Sequence, residues 1–128
     1  MSETEAALAG VRSVIDALNS GEDADVLAGM ADDVVIIDDV EPFHWTGRQE
    51  AQQWLQRVAR TRKRLSASLS LDSAAVQLAG DRAYLVAPGA IKGSLAETDF
   101  EVDGLVTSTL IVRDGKWLVD SLVWSCSR

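Results

Sequence analysis

Cysteine and histidine are almost absent from this chain, which contains one residue of each, Cys126 and His44, among 128 residues. A lone cysteine excludes an internal disulfide, and one histidine offers no ligand spacing for zinc. Cys126 is interpreted as a small filler and not as a nucleophile, because the only candidate base lies far from it in sequence. We therefore expect no metal and no cofactor.

Long apolar runs and an excess of basic residues are also missing. No segment approaches the roughly 20 apolar residues that a membrane-spanning helix needs, and the first residues lack the charged-then-apolar pattern of an export signal. The chain has 20 acidic and 12 basic residues and a net charge of -8, so it repels the phosphates of nucleic acids. These absences predict a cytoplasmic protein that binds neither membrane nor nucleic acid.

Three segments have the spacing of amphipathic helices within what reads as one domain, residues 1–128. The first follows the capping-box pair Ser2 and Glu5, the second is short, and the third begins at Gly47. The third helix ends in a basic cluster of Arg57, Arg60, Arg62, Lys63 and Arg64. We interpret this cluster as a solvated helix end whose cations complement the helix dipole, with an anion or partner site as the alternative.

The remaining patterns are those of strands. The β-branched run at residues 34–37 predicts a strand covered on both faces, and its alternation turns Asp38 inward and Asp39 outward. After Leu65 the period changes to two and predicts four long strands, with an interruption at Pro88 and its following glycine.

The order of these elements is helix, helix, strand, helix and then four strands. It predicts an α+β fold in which a strongly curved antiparallel sheet wraps around a cavity and packs against the three N-terminal helices. A small apolar ligand would occupy such a cavity.

Four segments carry a resemblance to a known family: residues 17–23, 31–38, 45–48 and 114–117. They resemble the nuclear transport factor 2-like superfamily, a cone-shaped fold that includes SnoaL-like polyketide cyclases and ketosteroid isomerases. The resemblance covers nearly the whole chain and implies a homodimer formed through the sheet. It does not imply one reaction, since the superfamily includes many activities and non-catalytic binders.

Asp38 falls at the position of the carboxylate base in the ketosteroid isomerases, which bind the enolate oxygen through a tyrosine and a protonated acid. The corresponding positions here are Val14 and Ser108, so both strong donors are missing. One lost oxyanion donor typically costs about 3 to 4 kcal/mol, and steroid isomerisation of the usual kind is not expected. Scytalone dehydratase, which is similar in fold, relies on paired histidines, so the SnoaL-like cyclases fit the chain better.

Asp38 is therefore the candidate general base, and His44, Tyr84 and Asp120 are its candidate proton partners. Each has an alternative interpretation: a strand-end cap for Asp38, a loop residue for His44, a core tyrosine for Tyr84, and a surface acid for Asp120. The two-residue alternation of a strand places Asp120 on the same face of the last strand as Leu122 and Trp124. The expected pocket walls are Val14, Ile36, Trp54, Ser108, Leu122 and Trp124.

Two functions remain open at this point. The first is cofactor-free proton transfer, of the isomerase, cyclase or dehydratase type, on an apolar carbonyl compound. The second is a non-catalytic ligand-binding or dimerisation module with the same fold.

Overall fold

The elements follow one another in the predicted order. The computed structural model describes residues 2–126. The helices are α1 (Glu3–Ser20), α2 (Asp23–Ala28) and α3 (Gly47–Leu65). The strands are β1 (Met30–Ile37), β2 (His44–Thr46), β3 (Ser68–Leu71), β4 (Ala75–Ala79), β5 (Arg82–Leu95), β6 (Thr98–Arg113) and β7 (Lys116–Cys126). The predicted α+β fold with a strongly curved sheet is confirmed, with β2 and the separation of β3 from β4 as additions.

Helix α1 has the ends that its sequence predicts. The Ser2 side chain accepts a hydrogen bond from the backbone N–H of Glu5 at 3.1 Å, which satisfies one of the free donors of the first turn. At the other end Gly21 takes the left-handed conformation, φ 75°, and its N–H returns to the carbonyl groups of Ala17 and Leu18. This glycine therefore stops the helix and turns the chain into α2.

The sheet has seven strands in the order β2-β1-β7-β6-β5-β3, and β4 also pairs with β5. All pairs are antiparallel except β1 with β7, which are parallel. The predicted antiparallel sheet therefore includes one parallel pair. The parallel pair joins the first strand of the chain to the last one.

Strand β5 continues through Pro88 without the predicted interruption. What changes at Pro88 is the neighbouring strand, because β4 pairs with residues 82–86 and β3 with residues 89–92. A proline lacks the N–H that a ladder uses, and here it lies at the change of partner. Its carbonyl accepts the N–H of Asp72 at 2.8 Å.

A β-bulge interrupts β7 at Asp120. Thr109 pairs with Ser121 and Leu110 pairs with Val119, so Asp120 has no partner residue on β6. The extra residue reverses the alternation of side chains along the strand. Trp117 and Val119 are buried before the bulge and Leu122 after it, which a constant two-residue alternation cannot produce.

The buried core lies between the inner face of the sheet and the three helices. Helix α1 packs against β7, and α3 packs against β1. The largest fully buried side chains include Val11, Met30, Ile36, Leu55, Leu110 and Val119. The main helix contacts with the sheet are therefore those of α3 with β1 and of α1 with β7.

The turn between β5 and β6 gives a first testable prediction. Ala96 and Glu97 both have positive φ, 52° and 67°, between the paired residues Leu95 and Thr98. A non-glycine residue in this conformation costs about 1–2 kcal/mol, and asparagine followed by glycine is the sequence that such a turn favours. Replacement of the two residues by Asn-Gly should raise the free energy of unfolding by about 1–2 kcal/mol in urea titrations.

The matched control for this turn is the hairpin between β6 and β7. Asp114 and Gly115 have φ of 52° and 77° and already form the favoured pair. Gly115→Ala should lower the free energy of unfolding by about 1 kcal/mol. Equal stabilities of the wild type and the Asn-Gly variant would contradict the left-handed conformation at Ala96 and Glu97.

Candidate functional site

A cavity of about 640 Å³ lies between the concave face of the sheet and helix α3. This volume is within the range of small-molecule sites, about 300–1,000 Å³. Its wall is formed by the ends of α1 and β1, by α3, and by parts of β3, β5, β6 and β7. Six apolar residues of the wall come from five of these elements: Ile36, Trp54, Leu69, Val106, Leu122 and Trp124.

Asp38 lies in this wall, directly after the last residue of β1. Its Oδ2 accepts the indole N–H of Trp54 at 3.1 Å, and its Oδ1 accepts the backbone N–H of Asp39 at 2.7 Å. Burial raises the pKa of Asp38 above its ordinary value, and these two hydrogen bonds oppose the rise without cancelling it. The side chain is therefore a partly desolvated carboxylate held in a fixed orientation.

Asp39 also borders the cavity, but it is exposed, and the prediction that only one of the two acids turns inward stays a prediction. β1 ends at Ile37, and the two-residue alternation does not extend into the turn that follows. The Asp39 Oδ2 accepts a hydrogen bond from the Cys126 Sγ at 2.7 Å, and this bond raises the pKa of that thiol. Cys126 is exposed and joins the end of β7 to the turn after β1.

The structure does not bring the three candidate proton partners together with Asp38. His44 is an exposed residue of β2 and pairs with Ile37 outside the cavity. Tyr84 is 45% exposed, and its neighbours along β5 point to the opposite, buried face. Asp120 occupies the bulge, and its Oδ2 lies 3.3 Å from Nη1 of Arg82.

Two of the six expected pocket residues are core residues instead. Val14 is 1% exposed and packs against Gly29 at the contact of α1 with α2. The Ser108 hydroxyl donates to the carbonyl of Ser121 at 2.7 Å, so it satisfies a backbone group at the bulge and is not available to a ligand. The other four expected residues, Ile36, Trp54, Leu122 and Trp124, line the cavity.

Trp124 is positioned by two glycines that face each other across β5 and β6, Gly89 and Gly104. A Cβ at Gly104 would lie 2.6 Å from Cη2 of Trp124, and one at Gly89 would lie 3.4 Å from Cζ3. The ring therefore occupies space that any side chain at Gly104 would take. Within residues 2–126 its buried indole N–H has no hydrogen-bond acceptor.

The basic part of the wall comes from the cluster that the sequence predicts to be a solvated helix end, with an anion or partner site as the alternative. Arg57, Arg60 and Arg64 line the cavity together with Thr61. The signal was present, because Arg57, Thr61 and Arg64 follow Trp54 at intervals of three and four residues and so share its helical face. The cluster was interpreted mainly as a solvated helix end because nothing in the sequence shows what α3 faces beyond Trp54.

Asn19 fixes the edge of the cavity by binding a strand. Its Nδ2 donates to the carbonyl of Leu69 at 2.7 Å, and its Oδ1 accepts the N–H of Leu69 at 2.8 Å. The amide group thus makes the two backbone hydrogen bonds that a neighbouring strand would otherwise make with this residue of β3. Both residues line the cavity, so this pair of bonds holds β3 at the distance that keeps the cavity open.

The second prediction follows from this pair of hydrogen bonds. Asn19→Leu keeps the side-chain size but leaves the N–H and carbonyl of Leu69 without partners. We expect a loss of about 1–3 kcal/mol in the free energy of unfolding and faster hydrogen exchange at the Leu69 amide. Ser70→Ala is the control, since its hydroxyl makes one long contact of 3.4 Å and its removal should change little. Unchanged exchange at Leu69 in the Asn19 variant would contradict the role of the amide.

Metal and membrane signals are not seen in the described part of the chain. Within residues 2–126 no three histidine, cysteine, aspartate or glutamate side chains are grouped so that they could hold a metal ion. No helix of that range has the length and hydropathy to cross a membrane.

A family model described as SnoaL-like domain matches residues 8–126. The chain belongs to this family. Among curated proteins, none matches the chain. The resemblance found in the sequence is thus confirmed for almost the full length of this SnoaL-like domain.

Solved structures with the same fold are described as different kinds of protein. A candidate ketosteroid isomerase from Shewanella frigidimarina is 21% identical, with a TM-score of 0.79 and coverage of 94% of each chain. A candidate scytalone dehydratase from Novosphingobium aromaticivorans is 14% identical, with a TM-score of 0.83 and coverage of 98% of this chain and 85% of that one. The CaMKII hub of S. rosetta is 13% identical, with a TM-score of 0.83 and coverage of 99% and 98%. At these identities the likeness establishes the fold and not the reaction.

Proposed function

We propose that this SnoaL-like domain binds a small apolar carbonyl compound and transfers a proton on it without a cofactor, with Asp38 as the base. The observation that carries the proposal is the position of Asp38. It is a carboxylate in the wall of an otherwise largely apolar cavity, with burial raising its pKa. A desolvated carboxylate is a stronger base toward carbon acids than one in water, and a raised pKa brings it closer to the range useful for general-base catalysis.

The surroundings of Asp38 favour a reaction that needs one proton-transferring group. The Trp54 N–H holds the carboxylate in place, and the predicted partners His44, Tyr84 and Asp120 lie elsewhere. A single carboxylate can take a proton from one carbon and return it to another, as an isomerisation or enolisation requires. A dehydration also needs an acid for the leaving hydroxyl, and Asp39, the other acid in the wall, is bound by Cys126. We therefore rank isomerisation above dehydration.

The wall lacks the tyrosine and the protonated acid that stabilise an enolate in the ketosteroid isomerases. A suitable test therefore uses a carbon acid that needs a base but no oxyanion donors. Nitrobenzisoxazole is such a probe. The base removes the proton from carbon, the electrons of the C–H bond form a nitrile, and the N–O bond breaks to leave a coloured phenolate. We expect saturable phenolate release above the rate of free acetate.

A ligand-binding or dimerisation module is the second candidate function. The outer face of the sheet exposes apolar side chains, with Tyr84 45%, Val86 40% and Leu105 43% exposed. One structural neighbour is the CaMKII hub, which supports assembly as a use of this fold. Binding of an apolar compound with no reaction of nitrobenzisoxazole would favour the binding module. Sedimentation as a monomer at high concentration would contradict dimerisation through the outer face.

A further inference from the structure

We propose that the natural ligand of the cavity is an apolar compound carrying a carboxylate, which Arg57 and Arg64 bind while the apolar part contacts the wall beside Asp38. This inference rests on the proposed function of the cavity as a small-molecule site and adds the class of ligand. The basic residues of α3 carry it.

The arginines of α3 differ in their hydrogen-bond and ion-pair partners. Arg62 donates to the carbonyl of Leu18 at 3.0 Å and so caps the end of α1. The three ion pairs among residues 2–126 join Arg48 to Asp32, Arg82 to Asp120 and Lys92 to Glu101. None of them includes a cavity arginine. The chain has 20 acidic and 12 basic residues, so the missing partners do not result from a shortage of acids.

The helix dipole explains one of these cations but not all of them. A charge interacts favourably with the dipole within the last turn, and Arg64 lies in the last turn of α3. Arg57 lies two turns earlier and is half-buried in the cavity wall. A guanidinium at that position loses part of its hydration without a carboxylate to replace it, which a bound anion would correct.

The spacing along α3 indicates the shape of the ligand. Trp54, which binds Asp38, comes first, and Arg57 and Arg64 follow at about 4.5 Å and 15 Å along the helix axis. Asp38 forms no ion pair with any of them. Asp38 thus lies at the Trp54 end of the cavity, Arg57 lies about one turn further along α3, and Arg64 lies near the end of that helix. A ligand with its reacting carbon at the Trp54 end and its anionic group on the order of 10 Å away fits this spacing.

A carboxylate is the anion that suits this arrangement best. Guanidinium groups bind carboxylates through two parallel hydrogen bonds, and a single negative charge matches a wall that also contains Asp38 and Asp39. A phosphate monoester would place two negative charges in the same cavity as these acids.

The test compares decanoate with decanol, which have the same chain and differ in charge. Both are titrated into the full chain below the micelle concentration, and the fluorescence of the cavity tryptophans Trp54 and Trp124 reports binding. We expect decanoate to bind more tightly than decanol. Arg57→Gln with Arg64→Gln should weaken decanoate binding by about 10- to 100-fold and leave decanol within about twofold of the wild type.

Two controls separate the site from general electrostatics. Lys63→Gln with Arg113→Gln changes the net charge equally at two exposed positions outside the cavity and should leave both affinities unchanged. If the double variant does not fold, Arg64→Gln alone can be used, because Arg64 is exposed. It should weaken the binding of decanoate and not that of decanol. Added salt should weaken decanoate binding to the wild type and not decanol binding.

The outcomes distinguish this inference from the proposed function. The carboxylate inference would be overturned if the wild type bound decanoate and decanol equally well. It would also be overturned if the cavity double variant and the control double variant lost the same decanoate affinity. Either result would leave a site for neutral ligands. Binding of neither compound would overturn the inference together with the cavity's role as an apolar ligand site.

Discussion

We expect Asp38→Asn to lower the rate of proton removal from nitrobenzisoxazole by about two to four orders of magnitude, the usual contribution of a positioned general base. Asparagine has nearly the shape of aspartate, and its carbonyl oxygen can still accept the Trp54 N–H that lies 3.1 Å from Oδ2 in the wild type. It cannot take up a proton. Affinity for decanol should therefore change little while turnover is lost, and the two measurements together separate chemistry from binding.

The control for this variant is Asp33→Asn. Asp33 is an exposed residue of β1 and does not line the cavity, so its replacement removes the same charge from a nearby position outside the cavity. Turnover should stay within about twofold of the wild type, as for a surface change. If the Asp38 and Asp33 variants keep equal activity, Asp38 is not the base.

The pH dependence of turnover follows from the pKa of Asp38. Only the ionised carboxylate accepts a proton, so the rate should rise with pH and level off above the pKa in the folded protein. Burial places that pKa above the ordinary value of 3.8. An acidic limb with its midpoint at or below 3.8 would contradict the burial of Asp38.

The same pKa has a consequence for stability. The folded protein binds the Asp38 proton more tightly than the unfolded chain, because its pKa is raised on folding. This contribution to stability is fully present below about 3.8 and is lost as the pH rises through the folded pKa. As the pH rises from about 3.8 through the folded pKa of Asp38, the free energy of unfolding of Asp38→Asn should therefore increase relative to that of the wild type.

We expect Leu110→Ala to lower the free energy of unfolding by about 2–5 kcal/mol, the cost of removing a large side chain from a packed core. Leu110 is fully buried on β6, and it packs under α1, where a Cβ at Gly10 would lie 3.3 Å from its Cδ2. For a chain of this size the melting temperature should fall by on the order of 4 °C for each kcal/mol. Calorimetry or urea titration measures the effect.

Leu105→Ala is the matched control on the same strand. Leu105 is 43% exposed on the outer face, and its truncation should change stability by about 0.5 kcal/mol or less. A loss as large as that of Leu110→Ala would show that Leu105 is covered in solution, which is the result expected of a dimer through the outer face.

The sequence predicted the elements well because their signals are local. The cap formed by Ser2, the stop at Gly21 and the left-handed pair Asp114 and Gly115 depend on neighbouring residues alone. The position of Asp38 in the cavity wall was also predictable, since it follows a buried strand by one residue.

The rest of the candidate site depends on contacts between distant segments. The bulge at Asp120 arises from pairing with β6, and a rule of strict alternation cannot show where one residue is skipped. Asp39 enters the wall because the chain turns after Ile37 and meets Cys126. The position of Arg57 in the cavity wall becomes visible only when the sheet is placed opposite α3. For Tyr84 the sequence predicted the strand but not the face, whereas His44 lies in a strand, β2, that the sequence did not predict.

The parallel pairing of β1 with β7 also determines when the cavity can form. During synthesis β1 emerges early, but the residues that it pairs with, Ser121 to Val123, emerge after all the other strands. Contacts between segments so far apart in sequence close large loops and slow folding. Until β7 arrives, the apolar edge of β1 stays unpaired and open to association with other chains. In a nascent chain that has not yet completed β7, this edge of β1 is therefore the place where association with other chains would begin.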